Sequence, residues 1–406
     1  MSKLEELIQQ YCPDGVEYHK VKEVYTRLKG TPITAGKMKE INNPGGAIRV
    51  FAGGKTVIDA NEEDIPNANI TRVPAVLVQS RGVIDAVYYD KPFTFKNEMW
   101  AYTAKDIPSV KYLYYVLKSN MQTFRDAASG MGSLPQISLG VTEEFEIPVP
   151  PLPVQEEIVR VLDIFTELQA ELQAELQKRK LQYNYYLDNL LNFNRGGYQA
   201  EVRWMKLSDI GTFYSGLSGK TKEDFQNGNA KFISYVNIFN NPSLIIDVDD
   251  RVKILEGEKQ NTIQYGDLLF TGSSETPDEC GMCSVLTHHT EEKLYLNSFC
   301  FGFRFNDLSG INPEFMKFLF RSSVIRKLIC KTANGVTRFN ISKKEFAKIV
   351  IPIPSLAEQD HIASVLDKFY FLVVDLSFGL PAEIEKRRQQ YEYYRDKLLT
   401  FKRKAA

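Results

Sequence analysis

The sequence predicts a mixed α/β protein, with helices and strands in the α+β manner, that consists of two tandem copies of one unit. Three observations predict this architecture. A Pro-rich segment, a long helical segment and a tyrosine cluster each occur twice, in the same order. A duplication of this size defines the whole architecture. Each element is therefore expected to have a copy in the other half of the chain.

The Pro-rich segment Ile147-Pro148-Val149-Pro150 recurs as Ile351-Pro352-Ile353-Pro354. Three anchors in the same order indicate an internal duplication, since a single match could arise by chance. The remaining matches are Val16, Tyr18, Lys20 and Val21 with Val202, Trp204, Lys206 and Leu207, Gln155 with Gln359, Val161-Leu162-Asp163 with Val365-Leu366-Asp367, and Gln182-Tyr183-Asn184-Tyr185-Tyr186 with Gln390-Tyr391-Glu392-Tyr393-Tyr394.

The segments after the Pro-rich exits predict long helices. From Val154 to about Asn194, most apolar residues recur at steps of three or four, the spacing of one buried helical stripe. The second copy begins at Ser355, which forms a capping-box pattern with Glu358. Gly379-Leu380-Pro381 interrupts this copy, and we expect a kink or break there before the helix resumes.

The segments before the exits predict mixed α/β domains. In the second copy, alternate phenylalanines from Phe299 to Phe305 indicate a half-buried strand. Its counterpart in the first copy is expected around Phe93 and Phe95. The other predicted elements are strands at 266–270 and 231–236 and helices near 110–119 and 313–328.

Length and composition restrict the class of protein. The 406 residues favour two or three domains, and 43% hydrophobic with 25% charged residues exclude a disordered, collagenous or disulfide-scaffold chain. A net charge of −1 excludes binding of polyanions through overall charge, although charge can be segregated locally. Five scattered cysteines, no apolar signal core after Met1 and no run of 18 apolar residues predict a cytoplasmic protein.

Motifs for catalysis are weak in this sequence. Gly54-Lys55-Thr56 and Gly219-Lys220-Thr221 lack the preceding glycine of a phosphate loop. No glycine pattern for a dinucleotide or for S-adenosyl-methionine follows a predicted strand. Cys280-Gly281-Met282-Cys283 supplies only half of a zinc cluster, so we favour small residues packed in a loop. The sequence predicts a chain with no catalytic residue, metal or cofactor of its own.

Basic residues concentrate near the end of the second variable segment. Eight of them, against the single acid Glu345, lie between Arg321 and Lys348. This density suits contacts with nucleic-acid phosphates, and a solvated helical face is the alternative. The candidates for DNA contact in this cluster are Arg326, Lys327, Lys331, Arg338, Lys343 and Lys344.

Polar loop residues in both halves are candidates for reading base edges. Arg and Lys match the acceptors of guanine in the major groove, and Asn and Gln match the donor–acceptor pair of adenine. For each residue alone, an ordinary place on the surface is the alternative. The candidates are Gln79, Ser80, Arg81 and Asn97 in the first half, and Lys220, Asn237, Ser273, Ser274 and Asn297 in the second.

The repeated motifs resemble those of specificity subunits of type I restriction–modification systems. The resemblance rests on the two exits that end in a glutamine, Gln155 and Gln359, and on the two helices that end in Gln-Tyr-x-Tyr-Tyr. The segments Gly379–Ile384 and Cys12–Tyr18 are also similar to that family. The resemblance covers essentially the whole chain.

The resemblance implies a division of the chain into four segments. Residues 1–150 and 198–350 would be target-recognition domains, each for one half of a split site on double-stranded DNA. Residues 151–197 and 351–406 would hold two conserved helical regions. These regions would pack as an antiparallel coiled coil that keeps the recognition domains apart.

The resemblance also implies partners and cofactors. Two modification subunits, which carry the S-adenosyl-methionine chemistry, would dock on this scaffold. Restriction subunits, the ATP- and Mg-dependent translocases and nucleases, would then join them. The chain itself would be the non-catalytic specificity subunit of a DNA adenine methyltransferase complex, with no membrane contact.

A four-residue repeat in the first helical region predicts a molecular ruler. Gln169–Leu172 is followed by the same unit at Gln173–Leu176. Adding or removing one unit changes a helix by about 6 Å, close to the rise of two base pairs at about 3.4 Å each. We therefore expect the repeat to set the gap between half-sites. A simple helix-favouring sequence is the alternative.

The two tyrosine clusters have too many aromatic rings for one helical stripe. Some rings are expected to cap the coiled coil and others to form the docking surface for partner subunits. The sequence favours neither role for any one ring. The residues concerned are Tyr183, Tyr185, Tyr186, Tyr391, Tyr393 and Tyr394.

Three other functions stay open at this point. The first is a coiled-coil scaffold whose α/β domains bind other proteins. The second is an enzyme, a methyltransferase or nuclease that acts alone. The third is a specificity subunit of a different DNA-modification or phage-defence system.

Overall fold

The computed structural model describes residues 3–129, 134–193, 202–374 and 379–404. Its first half contains α1 (Lys3–Tyr11), β1 (Tyr18–Lys20), α2 (Val21–Val24), β2 (Thr26–Leu28), α3 (Ala35–Glu40), β3 (Ile48–Phe51), β4 (Val57–Ala60), β5 (Ala75–Gln79), β6 (Asp85–Tyr89), β7 (Phe93–Phe95), β8 (Trp100–Thr103), α4 (Ile107–Ser119), α5 (Met121–Asp126), α6 (Leu139–Glu143), β9 (Glu146–Pro148) and α7 (Leu152–Leu190).

The second half contains β10 (Arg203–Lys206), α8 (Leu207–Ile210), β11 (Gly211–Ser215), β12 (Ala230–Ile233), α9 (Tyr235–Asn240), β13 (Arg251–Val252), β14 (Thr262–Ile263), β15 (Leu268–Thr271), β16 (Ser273–Ser274), β17 (Cys283–Val285), β18 (Leu294–Leu296), β19 (Cys300–Phe305), α10 (Pro313–Leu319), α11 (Ser323–Cys330), β20 (Ala333–Asn334), β21 (Phe339–Ile341), α12 (Lys343–Phe346), β22 (Val350–Ile353), α13 (Leu356–Val374) and α14 (Leu380–Leu399). Short 3-10 turns lie at Glu62–Asp64, Lys222–Phe225 and Pro277–Glu279.

The two halves share the order of three groups of paired strands, and within the described residues β14 and the sheet β16-β21-β20 are assigned only in the second half. In the first half, an antiparallel sheet has the order β2-β8-β5-β6, a smaller sheet has the order β4-β3-β7, and β1 pairs with β9. The corresponding orders in the second half are β11-β19-β15-β17, β13-β12-β18-β14 and β10-β22. The parallel pairs also correspond, β3 with β7 and β12 with β18. The predicted tandem α/β architecture is confirmed, and the duplication extends into the variable segments.

The phenylalanine strand differs from its prediction in two respects. It is β19, which begins after Phe299, and it is buried on both faces because Phe303 and Cys300 contribute to different core clusters. Its counterpart is β8, not the segment around Phe93 and Phe95, since β8 and β19 hold the second place in matching sheets. The prediction was wrong because an alternating pattern indicates a strand but not the sheet that the strand joins.

The other predicted elements lie close to the observed ones. The predicted strand at 266–270 is β15, and the predicted helix at 110–119 is α4. The strand predicted at 231–236 ends at Ile233 because the chain enters α9 at Tyr235. The helix predicted at 313–328 is two helices, α10 and α11, because Ser322 starts a new helix by accepting the backbone N–H of Ile325.

The first helical region is one helix, and the second is two. α7 is continuous over 39 residues. α13 ends at Val374 and α14 begins at Leu380, so the break predicted at Gly379-Leu380-Pro381 is confirmed. Pro381 lies in the first turn of α14, where its missing N–H costs no helical hydrogen bond. No helix within the described ranges is long and apolar enough to cross a membrane.

The chain forms two compact units. One consists of Met1–Gln173 with Ile384–Ala406, and the other consists of Ala174–Glu383. The core of the first unit contains residues of the β2-β8-β5-β6 sheet, α4, α7 and α14, including Leu113 and Leu399. The core of the second contains residues of the β11-β19-β15-β17 sheet, α10, α7 and α13, including Phe315. The boundary between the units falls inside α7, within the four-residue repeat.

A buried glutamine accounts for the repeated Pro-rich exit. Gln155 Nε2 donates to Pro150 O at 2.7 Å, and Gln359 Nε2 donates to Pro354 O at 2.9 Å. Pro150 and Pro354 are buried, and a buried carbonyl group needs a hydrogen-bond donor. The side-chain amide provides it at the turn into each long helix.

The end of the chain pairs with its beginning inside the first unit. Val16 N donates to Lys402 O at 2.8 Å, and Lys404 N donates to Val16 O at 3.0 Å. Gly15 precedes this pairing with a φ of +105°, and a Cβ atom there would lie 2.5 Å from Lys402 O. The closure of this unit therefore requires glycine at position 15.

We expect the Gly15→Ala variant to destabilise the first unit by at least about 2 kcal/mol, because the side chain adds backbone strain and a collision with Lys402 O. Thermal unfolding of the purified chain, with hydrogen exchange at residues 15–20, measures the effect. Gly45→Ala is the matched control, since a Cβ atom at Gly45 meets nothing within 4 Å. Equal unfolding temperatures for the two variants would contradict this reading of the closure.

Candidate nucleic-acid interface

An open groove of about 1100 Å³ lies at one end of the β11-β19-β15-β17 sheet. Because β15 and β19 are antiparallel, the segment after β15 and the turn before β19 meet at this end. α9 and the connection from β20 to β21 complete the groove. Its lining residues are Tyr235, Val236, Phe239, Asn240, Ser273, Ser274, Glu275, Thr276, Glu279, Phe299, Thr337 and Arg338.

Contacts between these segments give the groove a defined shape. The Arg338 guanidinium lies 5.8 Å from the centre of the Phe299 ring and donates from Nη2 to Ser273 Oγ at 3.2 Å. Tyr235 donates from its hydroxyl to Ser273 O at 2.8 Å. The strand pair of β16 with β21 holds Ser274 opposite Phe339. Three predicted residues, Ser273, Ser274 and Arg338, are thus brought together here.

Two partly buried guanidinium groups hold the backbone near the groove. Arg326, which the sequence analysis assigns to DNA contact, donates to the carbonyl oxygens of Asp278, Cys280 and Gly281 at 2.5 to 2.8 Å. Arg321 donates to the carbonyl of Ile238 at the end of α9. Burial lowers the pKa of both guanidinium groups. Their hydrogen bonds give both arginines a structural role.

Backbone hydrogen bonds identify the matching face in the first half. Ile137 N donates to Ser80 O just after β5, and Ile341 N donates to Gly272 O just after β15. The turns before β8 and β19 match in the same way. The matched positions are Arg81 with Ser273, Lys96 with Asn297 and Glu98 with Phe299.

The predicted base-reading residues, taken together with Arg338 of the basic cluster, fall into two groups. Arg81, Asn97 and Arg338 are exposed, and Ser274 is half-buried. The others are committed to contacts within the protein: Gln79 and Ser273 are buried, Ser80 donates to Glu98 O, Asn237 donates to Ile245 O at 2.8 Å, Lys220 donates to Glu258 at 2.7 Å, and Asn297 accepts from Phe299 N at 2.9 Å.

The exposed basic residues lie on elements next to the groove. Lys327 is on α11, Lys331 follows that helix, and Lys343 and Lys344 begin α12, directly after β21. β21 pairs with β16, which lines the groove. These four lysines therefore carry positive charge beside the groove and not inside it.

The cysteine segment 280–283 is part of the packing around β17. Cys280 and Cys283 are buried. Burial raises the pKa of both thiols, to about 12 for Cys283, so the thiolate form that binds zinc is disfavoured. Within the described ranges, no group of three or more His, Cys, Asp or Glu side chains could hold a metal ion.

The aromatic and acidic residues of the groove were not among the residues predicted to contact DNA. Tyr235 and Val236 lie in the predicted strand at 231–236, Phe239 follows that strand, and Phe299 begins the predicted strand of alternating phenylalanines. A signal for this region was present in the sequence, because Ala128-Ser129-Gly130 is repeated as Ala333-Asn334-Gly335. Each copy precedes an Ile-Ser pair at the start of a short helix.

The tyrosine clusters separate into packed and exposed rings. In unit 2, Tyr186 stacks on Phe369 at 4.8 Å and Tyr183 contacts Tyr370 at 6.3 Å, so the end of α7 packs against α13. In unit 1, Tyr391 and Tyr394 both contact Phe165, which is the counterpart of Phe369 in the repeat. The central tyrosines, Tyr185 and Tyr393, are 65% and 64% exposed.

An ion pair joins each α/β domain to its long helix at the same repeated position. Lys111 Nζ lies 2.6 Å from Asp163 in the first half, and Lys317 Nζ lies 2.6 Å from Asp367 in the second. Burial and the pairing act in opposite directions on Asp367, and burial prevails and raises its pKa. The repeated aspartate thus orients each domain on its helix.

Comparison with known proteins identifies the family. The model of the type I restriction modification DNA specificity domain matches residues 13–179 and 200–386. The chain is 33% identical over 308 residues to the type I restriction enzyme EcoR124I/EcoR124II specificity subunit of Escherichia coli, covering 72% of this chain and 71% of that one. It is 28% identical to the putative specificity subunit S.HindORF215P of Haemophilus influenzae, covering 76% and 77%.

A solved structure has the same fold. The type I restriction–modification S subunit from M. genitalium superposes with a TM-score of 0.54 at 16% identity, covering 95% of both chains. The two matches to the family model coincide with the two copies of the repeated topology. The chain belongs to the family of type I restriction–modification specificity subunits and carries two DNA-recognition domains in tandem.

Proposed function

We propose that this chain reads a bipartite DNA site, two short sequences separated by an unread gap, with one recognition domain on each half-site. The observation that carries the proposal is the shared topology of the two domains, whose matching faces carry different side chains. The first face has Arg81 where the second has Ser273, and Glu98 where the second has Phe299. One scaffold with two different faces suits two different half-sites.

Exposed side chains of each face are proposed to read bases. Arg81 and Arg338 can donate two parallel hydrogen bonds to guanine, and Asn97 can pair with adenine in the major groove. The lysines beside the second face, Lys343 and Lys344 among them, would contact phosphates. The buried candidates Gln79, Ser80 and Asn237 and the partly buried Arg326 would instead shape the loops that carry the readers.

Replacing Lys343 and Lys344 by glutamine should weaken DNA binding of the assembled complex for every sequence alike. If each lysine contacts one phosphate, the slope of log K against log salt should fall by about 2 in magnitude. Titrations of target and random duplexes at several salt concentrations measure this change. Lys348→Gln is the control, because Lys348 is already paired with Glu345 at 2.8 Å. An unchanged slope for the double variant would remove these lysines from the phosphate contact.

We also propose that the helical regions scaffold the other subunits. In this proposal, two modification subunits supply S-adenosyl-methionine and the methyl transfer, restriction subunits supply ATP-driven cleavage, and this chain supplies recognition without catalysis. Tyr185 and Tyr393 are suitable contacts for two copies of one partner, because they are exposed aromatic rings at repeated positions. The packed tyrosines instead hold the helices together.

The experiment that tests the proposal is a genome-wide methylation map of cells that express this chain with its modification subunit. The expected result is one gapped motif, made of two short half-sites around an unread spacer. Methylation at a continuous motif would contradict separate reading by the two domains. A stable complex without added methylation would favour a scaffold for other proteins.

A further inference from the structure

One wall of the groove exposes large apolar side chains. Val236 is 62% exposed and Phe299 is 60% exposed, although the phenylalanines that follow on β19 are buried. The rings of Tyr235 and Phe239, which also line the groove, stack 6.0 Å apart. Exposing two apolar side chains on one wall to water is unfavourable in the free protein. Covering them with a ligand is favourable, because it removes this apolar surface from water.

The wall is held in place by neighbouring contacts. Phe299 N donates to Asn297 Oδ1 at 2.9 Å, and the Arg338 guanidinium covers one face of the Phe299 ring. Asn237, the residue after Val236, is buried, and its side-chain amide donates to Ile245 O at 2.8 Å and accepts from Ile245 N at 3.2 Å. Little ordering is therefore needed when a ligand binds against Val236 and Phe299.

Carboxylates in the same groove indicate which part of DNA it would take. Glu275 and Glu279 line the groove, and Ser274 Oγ donates to Glu279 at 3.2 Å. Carboxylates repel phosphates, so the sugar–phosphate backbone is better matched to the lysines beside the groove. Base edges fit the groove itself, and the 5-methyl group of thymine is the apolar feature that these edges present in the major groove.

The first recognition domain has no such wall at the matched position. Glu98 replaces Phe299, accepts from Gly53 N at 3.1 Å and pairs with Lys96 at 3.0 Å. The segment that corresponds to the start of α9 is Gly53-Gly54-Lys55, which carries no apolar side chain. We therefore expect only the second recognition domain to need an apolar group on the DNA at this position.

We infer that Val236 and Phe299 read the 5-methyl group of a thymine in the half-site of the second recognition domain. The inference rests on the proposed function, because it takes the groove as the surface that meets base edges. It adds the chemical group that is read and the two residues that read it. Val236 and Phe299 are specificity-determining residues in this account.

The test replaces each thymine of the two half-sites, one at a time, by uracil, which pairs in the same way but lacks the methyl group. Binding of each duplex to the assembled complex is measured by fluorescence anisotropy at fixed salt. For one thymine at least, we expect the wild-type complex to bind the uracil duplex about fourfold more weakly, the effect of one buried methyl group. The Val236→Ala complex should bind both duplexes equally.

Val336→Ala is the matched control, since Val336 is 91% exposed but does not line the groove. This variant should keep the full uracil effect. The inference is overturned if no replacement of thymine by uracil weakens binding in a way that is lost in Val236→Ala. It is also overturned if neither half-site contains thymine. Failure of the proposed function would give a different result. The methylation map would then show no gapped motif, and the complex would not bind such a motif preferentially.

Discussion

Deleting Gln173–Leu176 should move methylation from the original motif to one with a spacer shorter by up to about two base pairs, with both half-sites unchanged. The deletion removes four residues, about 6 Å of helix. It preserves the local helix surface, because Leu172 takes the place of the buried Leu176. It also restores an ion pair, since Glu171 takes the place of Glu175 four residues before Arg179.

The effect on the original motif should be large, at least about a hundredfold loss, because two half-sites then cannot be contacted together. A methylation map of the deletion strain measures it. The control exchanges Gln173 and Ala174, which are both exposed, and keeps the length of α7 and the original spacer. Altered half-sites with an unchanged spacer would leave the repeat as simple helix-favouring sequence.

Replacing Gln359 by leucine should destabilise the second unit by about 3 kcal/mol or more. Gln359 is fully buried and donates to Pro354 O and to Gly310 O at 3.0 Å. Its Oε1 atom also accepts from Asn312 N at 2.8 Å. The variant leaves three backbone groups without this partner, and each buried group left unpaired costs about 1–3 kcal/mol.

The same change at Gln155 is the matched control. Gln155 bonds to Pro150 O, and its buried Oε1 atom has no hydrogen-bond partner. Leucine there removes one good hydrogen bond and one unsatisfied oxygen, so we expect a cost of about 1 kcal/mol or less. Thermal unfolding with hydrogen exchange assigned to each unit compares the two variants. Equal costs would contradict the view that Gln359 ties α13 to the recognition domain.

The parts of the fold that the sequence predicts are those set by local periodicity and by repetition. The stripe along α7 and the break before Pro381 follow from spacing and from proline geometry. The predicted counterpart of β19 was wrong because sheet order depends on pairing between strands that are distant in sequence. Alternation of residues along one strand gives no information about that pairing. The shared strand order of the halves becomes visible only once those pairs are known.

The candidate interface was only partly predictable for a similar reason. Arg326 stands in a run of basic residues, and nothing local indicates that carbonyl groups of residues 278–281 surround its guanidinium. Val236 and Phe299 look like core residues in sequence, because exposure is decided by the segments that meet around them. Arg81 and Arg338, in contrast, are exposed, as expected for Arg81 from its residue type and loop position and for Arg338 from its place in the basic cluster.

The most direct test of separate reading compares methylation maps of Arg81→Ala and Arg338→Ala with the wild-type map. The account predicts that Arg81→Ala relaxes one half-site only, that Arg338→Ala relaxes the other only, and that the spacer stays constant. Arg251→Ala, an exposed change on β13 outside both faces, should leave the map unchanged. If either reader variant alters both half-sites, or if both alter the same one, the two domains do not read separate sequences.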